Sequence, residues 1–272
     1  MTSIFISSDA LDQGVAVARK VAEQLNATFV GRDILPAIAK ERRISEADLL
    51  SLLDFNGKFG LYQKRLLMCL ESSVASRIRD DNVVCTGLGA HLYIRGVSHI
   101  LNVRVLTDMA SLTFRTAAEK NISPSRVRKG LEKRMRKRRR WTLNAFQVDE
   151  TQPSNYDMLF TLGNFDIDRV AKTVAETAGD RKFTAMTYSR KILDEQVLAC
   201  NVRLALVKKY PEVMVRIKDD TAFLTIAKRW GWRRKAEAIK RIASEVDGVN
   251  YVRIALLGED KSQIEERVVD VA

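Results

Sequence analysis

The sequence predicts an α/β protein, a parallel sheet covered by helices, followed by a smaller α+β unit of order αββαβ. Three observations carry this. Short apolar strands alternate with amphipathic helical stretches through residues 1–178, as they do in sheets built from helical crossovers. The apolar strand Val83-Val84-Cys85-Thr86 ends at the turn Gly87-Leu88-Gly89. Finally, the pattern changes near Ala178: residues 179–190, GDRKFTAMTYSR, are polar and aperiodic, and read as a linker.

Ser3 to Ser7 reads as a buried strand, and Val15, Ala18, Val21, Ala22 and Leu25 mark the apolar face of the helix that follows. Thr28-Phe29-Val30 is a second strand. Ser45-Glu46-Ala47-Asp48 has the form of a capping box opening a helix through Leu53. Residues 61–79 form a longer helix with Leu66, Leu67, Leu70, Val74 and Ile78 facing inward. Leu101 to Leu106 is a strand, and a helix begins near Asp108. Ser123-Pro124 pairs an N-cap with a first-turn proline, which starts another helix there. Beyond the linker, a helix over 191–209 precedes strand Val213–Ile217, a turn at Asp219-Asp220 and a returning strand from Thr221 to Ala227. A helix through Ala236, Ile239, Ala243 and Val246 then leads to a strand from Val249 to Leu256.

Of 272 residues, 46% are apolar and 29% charged, a composition suited to soluble globular domains. No apolar stretch approaches the roughly 18 residues that cross a bilayer, and the first residues show no secretory pattern. Cys69, Cys85 and Cys200 lie far apart, which is the usage expected of buried thiols in a reducing cytoplasm. The net charge of +12 is concentrated: from Arg126 to Arg140 there are ten Arg or Lys residues and one Glu, a net +9. Such a block points to a localised anionic partner. Within it, RMRKRRRW over residues 134–141 lies on the helix opened by Pro124. Residues 134, 138 and 141 share one face of that helix, and 136, 139 and 140 another.

The first 178 residues resemble the cytidylate-kinase-like family of P-loop nucleoside monophosphate kinases. The resemblance lies in IFISSDALDQGVAVARKVAEQL, FVGRDIL, VVCTGLGAH and QVDETQPSNYDMLFTLGNFDIDRVAKTV, in that order. The last is the most specific, with Pro153, Asn155, Tyr156 and Asp157 in place. It implies a P-loop-kinase-like sheet, ligand binding beyond the carboxyl ends of the strands, and ATP and Mg if the chain is active. It also places the phosphate loop on Asp12, Gln13, Gly14 and Val15. The monophosphate side falls on Arg32 and Asp33 with Gly87 and Gly89, and the lid arginines on Arg134, Arg136 and Arg138.

Several family features are replaced. The loop glycines fall on Leu11 and Gln13, its cation on Val15, the arginine after Gly87 on Leu88, and the acidic lid residue on Met135. Asp12 brings negative charge where a triphosphate would lie. Because phosphoryl transfer rests on positioning and charge neutralisation, these changes imply a scaffold that recognises a nucleotide or another phosphorylated small molecule, with transfer weak or lost. Whether the chain is an enzyme is therefore left open.

His91 has no partner in view, and no Cys/His or Ser/His/Asp arrangement is recognisable. Asp157 reads as a structural capping residue. Residues 191–258 resemble a BON domain, with EAIKRIASEVDGVNYVRIAL matching its closing helix, turn and strand, and residues 259–272 form a tail. That resemblance implies a phospholipid or small ligand and a regulatory or adaptor role. Arg229-Trp230-Gly231-Trp232-Arg233-Arg234 suits either a lipid headgroup interface or packing against the kinase-like domain. A salt-dependent nucleic-acid partner for the basic segment is the third reading, and oligomeric state is left open.

Overall fold

The computed structural model describes residues 2–54, 57, 59–80, 82–228 and 231–257. It divides into two units: the chain up to Phe59 with Asp80–Arg190, and Gly60–Arg79 with the chain from Lys191 onward.

In the first unit, strands β1 (Ser3–Ser8), β2 (Thr28–Val30), β3 (Val83–Thr86), β4 (Ile100–Thr107) and β5 (Met158–Leu162) form a sheet of order β2-β3-β1-β4-β5. All pairs are parallel, with Phe5 beside Cys85 and Asn102, and Val105 beside Phe160. Helix α1 (Leu11–Leu25) buries Gly14, Val17, Ala18, Val21 and Ala22, spaced to give one apolar stripe. That stripe joins Ile4, Ile6, Val84, Val103 and Val105 of the sheet in a single core. Helix α8 (Ile167–Ala178) brings Val170, Ala171 and Val174 into the same core.

Helices α2 (Leu35–Arg42) and α3 (Glu46–Leu53) follow β2; Ser45 occupies the N-cap of α3 without its side chain bonding there. The short α5 (Ala90–Tyr93) follows β3, and α6 (Met109–Lys120) starts where Asp108 accepts bonds from the N–H groups of Ala110 and Ser111. The basic segment lies in α7 (Pro124–Phe146), a single helix of 23 residues.

The segment 179–190, read as a linker, is more ordered than its composition suggested. It carries a 3-10 turn at Arg181–Phe183. Phe183 enters the core of the first unit, and Thr2 donates to its carbonyl.

The second unit contains α4 (Leu61–Ile78), α9 (Thr187–Leu206), β6 (Met214–Lys218), β7 (Thr221–Ile226), α10 (Trp232–Ser244) and β8 (Tyr251–Leu256). Its sheet has order β6-β7-β8, antiparallel then parallel. Asp219 and Asp220 both take left-handed backbone angles in the β6–β7 turn, the geometry of a tight two-residue hairpin. Helix α4, which sequence order placed with residues 1–178, groups with α9 instead. Buried Glu71 accepts a bond from Arg203 at 3.0 Å, Ser72 donates to Asn201 at 2.7 Å, and Arg79 pairs with Asp194 at 2.7 Å. Buried polar groups need partners, and Glu71 and Ser72 of α4 find theirs on α9.

Trp232 packs against the core of its own unit rather than forming an open patch, and Arg233 lies over its ring. Arg229, Trp230 and the tail 259–272 lie outside the described residues. No helix among the described residues is long and apolar enough to cross a membrane.

Candidate functional site

A cavity of about 740 Å³ opens in the first unit beyond the carboxyl ends of β1 and β3. Ligands of open parallel sheets bind in this position, where the chain order reverses direction. Buried polar side chains, Ser7, Arg104 and Glu150, form part of its lining. Arg104, on β4, is the one charged residue buried in that strand, and its Nη1 donates to Ser7 Oγ at 2.6 Å. The same Nη1 lies 3.9 Å from Glu150, whose side chain is 1% exposed. Arg138 of α7 donates from Nε to both oxygens of Glu150, at 2.9 and 3.1 Å. Glu150 thus sits between guanidinium groups from the sheet and from the overhanging helix.

His91 lies 4.0 Å from Glu150 and 3.4 Å from the Tyr156 hydroxyl. Sequence reasoning found no partner for it because both come from a segment some sixty residues downstream. Burial, with Arg138 and Arg104 adding to it, pushes the His91 imidazole down to about 3. The ring is therefore neutral, and its approach to Glu150 is not an ion pair. The unfolded chain binds a proton at His91 below about pH 6.5, whereas the native state resists it. This contribution is fully present above pH 6.5 and is lost progressively as pH falls toward 3. His91→Gln is expected to flatten the stability profile in that window when urea midpoints are compared at several pH values.

The loop before β5 holds these parts in place. Tyr156 donates to the Glu150 carbonyl at 2.8 Å, and Asn155 donates to the Asp149 carbonyl at 2.9 Å. Asp149 takes two bonds from Arg139 and two from Thr151, one from its amide and one from its hydroxyl. The Arg139 bond, with Thr151 assisting, draws its carboxyl down to about 2. Asp157 accepts from the Asn102 amide at 3.0 Å, a structural role that registers β5 against β4.

Of the lid cations, Arg134, Lys137 and Arg138 line the cavity. Arg136 lies outside the cavity lining and approaches Glu132 at 3.9 Å, because positions 134 and 138 share a helix face that 136 does not. Arg139 turns to Asp149. Trp141 shares the helix face of Arg134 and Arg138 and is buried. It is 1% exposed, packs edge-on against Phe146 and carries Arg138 at 4.8 Å over its ring, so it offers no face to a nucleic-acid base.

Arg32, Gly87 and Gly89 line the cavity. Arg32 donates to the Gly87 carbonyl at 3.2 Å and lies 3.5 Å from Asp54. Burial lowers its guanidinium below the ordinary value, Asp54 opposes this and Arg138 adds to it. Gly87 has φ +74°, and a Cβ there would stand 2.9 Å from Leu11. Asp33 does not line the cavity.

Only Asp9 and Ala10 separate β1 from α1, so Leu11 to Gly14 form the first helical turn. Asp9, Leu11 and Asp12 line the cavity. Asp9 is engaged by the Thr107 amide and hydroxyl at 3.0 and 2.8 Å. Gln13, Gly14 and Val15 do not reach the cavity. Gln13 bonds Thr107 at 2.6 Å, and Gly14 backs onto Ser8, whose Cβ would lie 2.6 Å from a Cβ at that position. Among the described residues, Lys120, Arg134 and Lys137 line the cavity without an acidic partner, and no group of three or more His, Cys, Asp or Glu side chains is placed to hold a metal.

Sheet order, cavity position and overhanging cations together define a kinase-like nucleotide-binding α/β scaffold. The chain belongs to the cytidylate kinase-like family, whose model matches residues 4–164. No curated protein matches it. An uncharacterized protein from Eubacterium ventriosum ATCC 27560 superimposes with TM-score 0.53 at 15% identity, over 66% of this chain and 99% of its own; this shows shared fold alone. Shikimate kinase from Bacteroides thetaiotaomicron gives TM-score 0.42 at 16% identity over 65% of this chain and 97% of its own, too distant to bear on function.

Proposed function

We propose that the first unit recognises a nucleotide or a comparable phosphorylated small molecule, with ATP-dependent transfer to a nucleoside monophosphate weak or lost. The observation that carries this is the asymmetry of the cavity. At one end Arg134 and Lys137 have no acidic partner among the described residues, and guanidinium or ammonium groups without a counter-ion favour an anion. At the other end the connection into α1 is two residues long, and Asp12 places a carboxylate on the lining.

A donor triphosphate needs backbone N–H groups wrapped around it and a cation beside them. Val15 supplies no charge, and Gln13 is committed to Thr107. The donor side thus fits ATP poorly, while Arg32, Arg134, Lys137 and the glycine turn suit a monophosphate. Magnesium, when bound with a nucleotide, would neutralise phosphate charge.

Turnover tests this reading. With CMP and other nucleoside monphosphates, each offered with ATP and Mg, the chain is expected to show little or no diphosphate product while a monophosphate raises its melting temperature. Rapid turnover of any monophosphate would overturn the loss of transfer. A chain whose melting temperature ignores every nucleotide would overturn recognition.

A second reading rests on the αββαβ order from α9 to β8, which supports a BON-like domain over residues 191–258 that responds to a phospholipid or small ligand.

A further inference from the structure

The three-stranded sheet of the second unit is covered on one face only. Ala199, Val202 and Leu206 of α9 and Ala236, Ile239 and Ala243 of α10 pack on the side presented by Ile217, Ala222, Leu224 and Ile226. Strand side chains alternate between faces, so the intervening residues form the opposite face, which no described helix of this unit packs against. At its centre Arg216, Phe223 and Arg253 lie side by side across the three strands. Phe223 is half-buried, and the Arg253 guanidinium stands 5.8 Å from its ring centre. The adjacent row carries exposed Lys218 and Tyr251, the latter 69% exposed.

We propose that this face binds single-stranded nucleic acid, with bases stacking on Phe223 and Tyr251 and phosphates held by Arg216, Lys218 and Arg253. The argument is charge and shape complementarity. Three cations and no carboxylate project from the face within the strands. The carboxylates of the β6–β7 turn lie at its edge, where Asp219 is already paired with Lys191. Neighbouring strands are about 4.8 Å apart and successive outward side chains about 6.8 Å apart. The two aromatic rings therefore lie within reach of neighbouring bases. Stacking platforms bordered by cations bind single strands with little sequence preference. A lipid surface is the less suitable occupant: Phe223 is half-buried beside the Arg253 guanidinium, and the exposed apolar side chains of this face, Met214 and Tyr251, stand apart at its margins among three cations. The cationic outer surface of α7 is a competing place for a polyanion, but its only tryptophan is buried.

The test is fluorescence anisotropy of a labelled oligouridylate with the full chain. Phe223→Leu keeps an apolar side chain in the sheet and removes the stacking plane. It is expected to weaken binding about five- to hundredfold. Arg216→Ala/Arg253→Ala is expected to make the dependence of log affinity on log salt shallower by about 1.4, from two lost phosphate contacts. Lys129→Ala/Lys133→Ala on α7 should leave the stacking-dependent affinity in place. Loss of binding in the α7 variant with both sheet variants unaffected would overturn the proposal. So would the absence of any anisotropy change at about 50 mM salt. Pelleting with phosphatidylserine vesicles that Phe223→Leu abolishes, without oligonucleotide binding, would overturn it in favour of lipid.

Discussion

Glu150→Ala is expected to destabilise the first unit by about 3–5 kcal/mol, lowering its melting temperature by roughly 6–20 °C. Glu150 is 1% exposed and takes both its close bonds from Arg138, itself 24% exposed, with Arg104 behind it. Removing the carboxylate leaves Arg104 with Ser7 and the face of the Tyr156 ring but no counter-charge in the interior, and an unpaired buried charge costs far more than the pair stabilised. Glu150→Gln should cost less, since the amide oxygen still accepts from Arg138 Nε. If the interaction is as direct as the geometry indicates, Arg138→Ala combined with Glu150→Ala should cost less than the sum of the two single changes. Urea titrations of the three variants check this. A stability change in Glu150→Ala of less than about 1 kcal/mol would mean that Glu150 does not anchor the lid helix.

The second large effect concerns binding. Arg134→Ala/Lys137→Ala is expected to weaken a nucleoside monophosphate by about a hundredfold or more, because each charge-assisted bond to phosphate contributes about 1.5–3 kcal/mol. Folding stability should move by less than about 0.5 kcal/mol, since neither side chain is paired. The same two changes at Arg136 and Arg140 should leave affinity within about twofold. These residues belong to the same basic run but not to the cavity lining. A comparable loss in both double variants would mean that the anion responds to the field of the whole helix rather than to two contacts.

Much of the first unit was legible because periodicity reports which face is buried. Of the face that helical spacing marked, Ala18, Val21 and Ala22 are buried, whereas Val15 is only half-buried and Val17 enters the core instead. Likewise the separation of Arg134 and Arg138 from Arg136 follows from helical geometry, although resemblance to the family lid grouped all three. What burial patterns do not report is the partner. Helix α4 was correctly read as amphipathic, but nothing local says that its polar Glu71 and Ser72 meet α9. Nor does the basic run that precedes Trp141 say that its ring packs edge-on against Phe146.

Glu150 and Arg104 were missed for a related reason. A lone Glu in a loop carries no pattern. Arg104, however, left a trace: a charged residue inside an otherwise apolar parallel strand must find a counter-charge. That rule applied to LNVRVL would have called for an acidic partner. The short connection into α1 was harder, since the length of an aligned loop says little about whether it wraps or has become helix.

The account turns on which phosphorylated ligand the cavity accepts, and calorimetric titration of the full chain with CMP and separately with ATP and Mg measures that directly. Saturable heat with CMP, abolished in Arg134→Ala/Lys137→Ala, together with ATP binding at least about tenfold weaker, is the predicted result. Tight ATP binding that survives those two substitutions, with no heat from CMP, would contradict it.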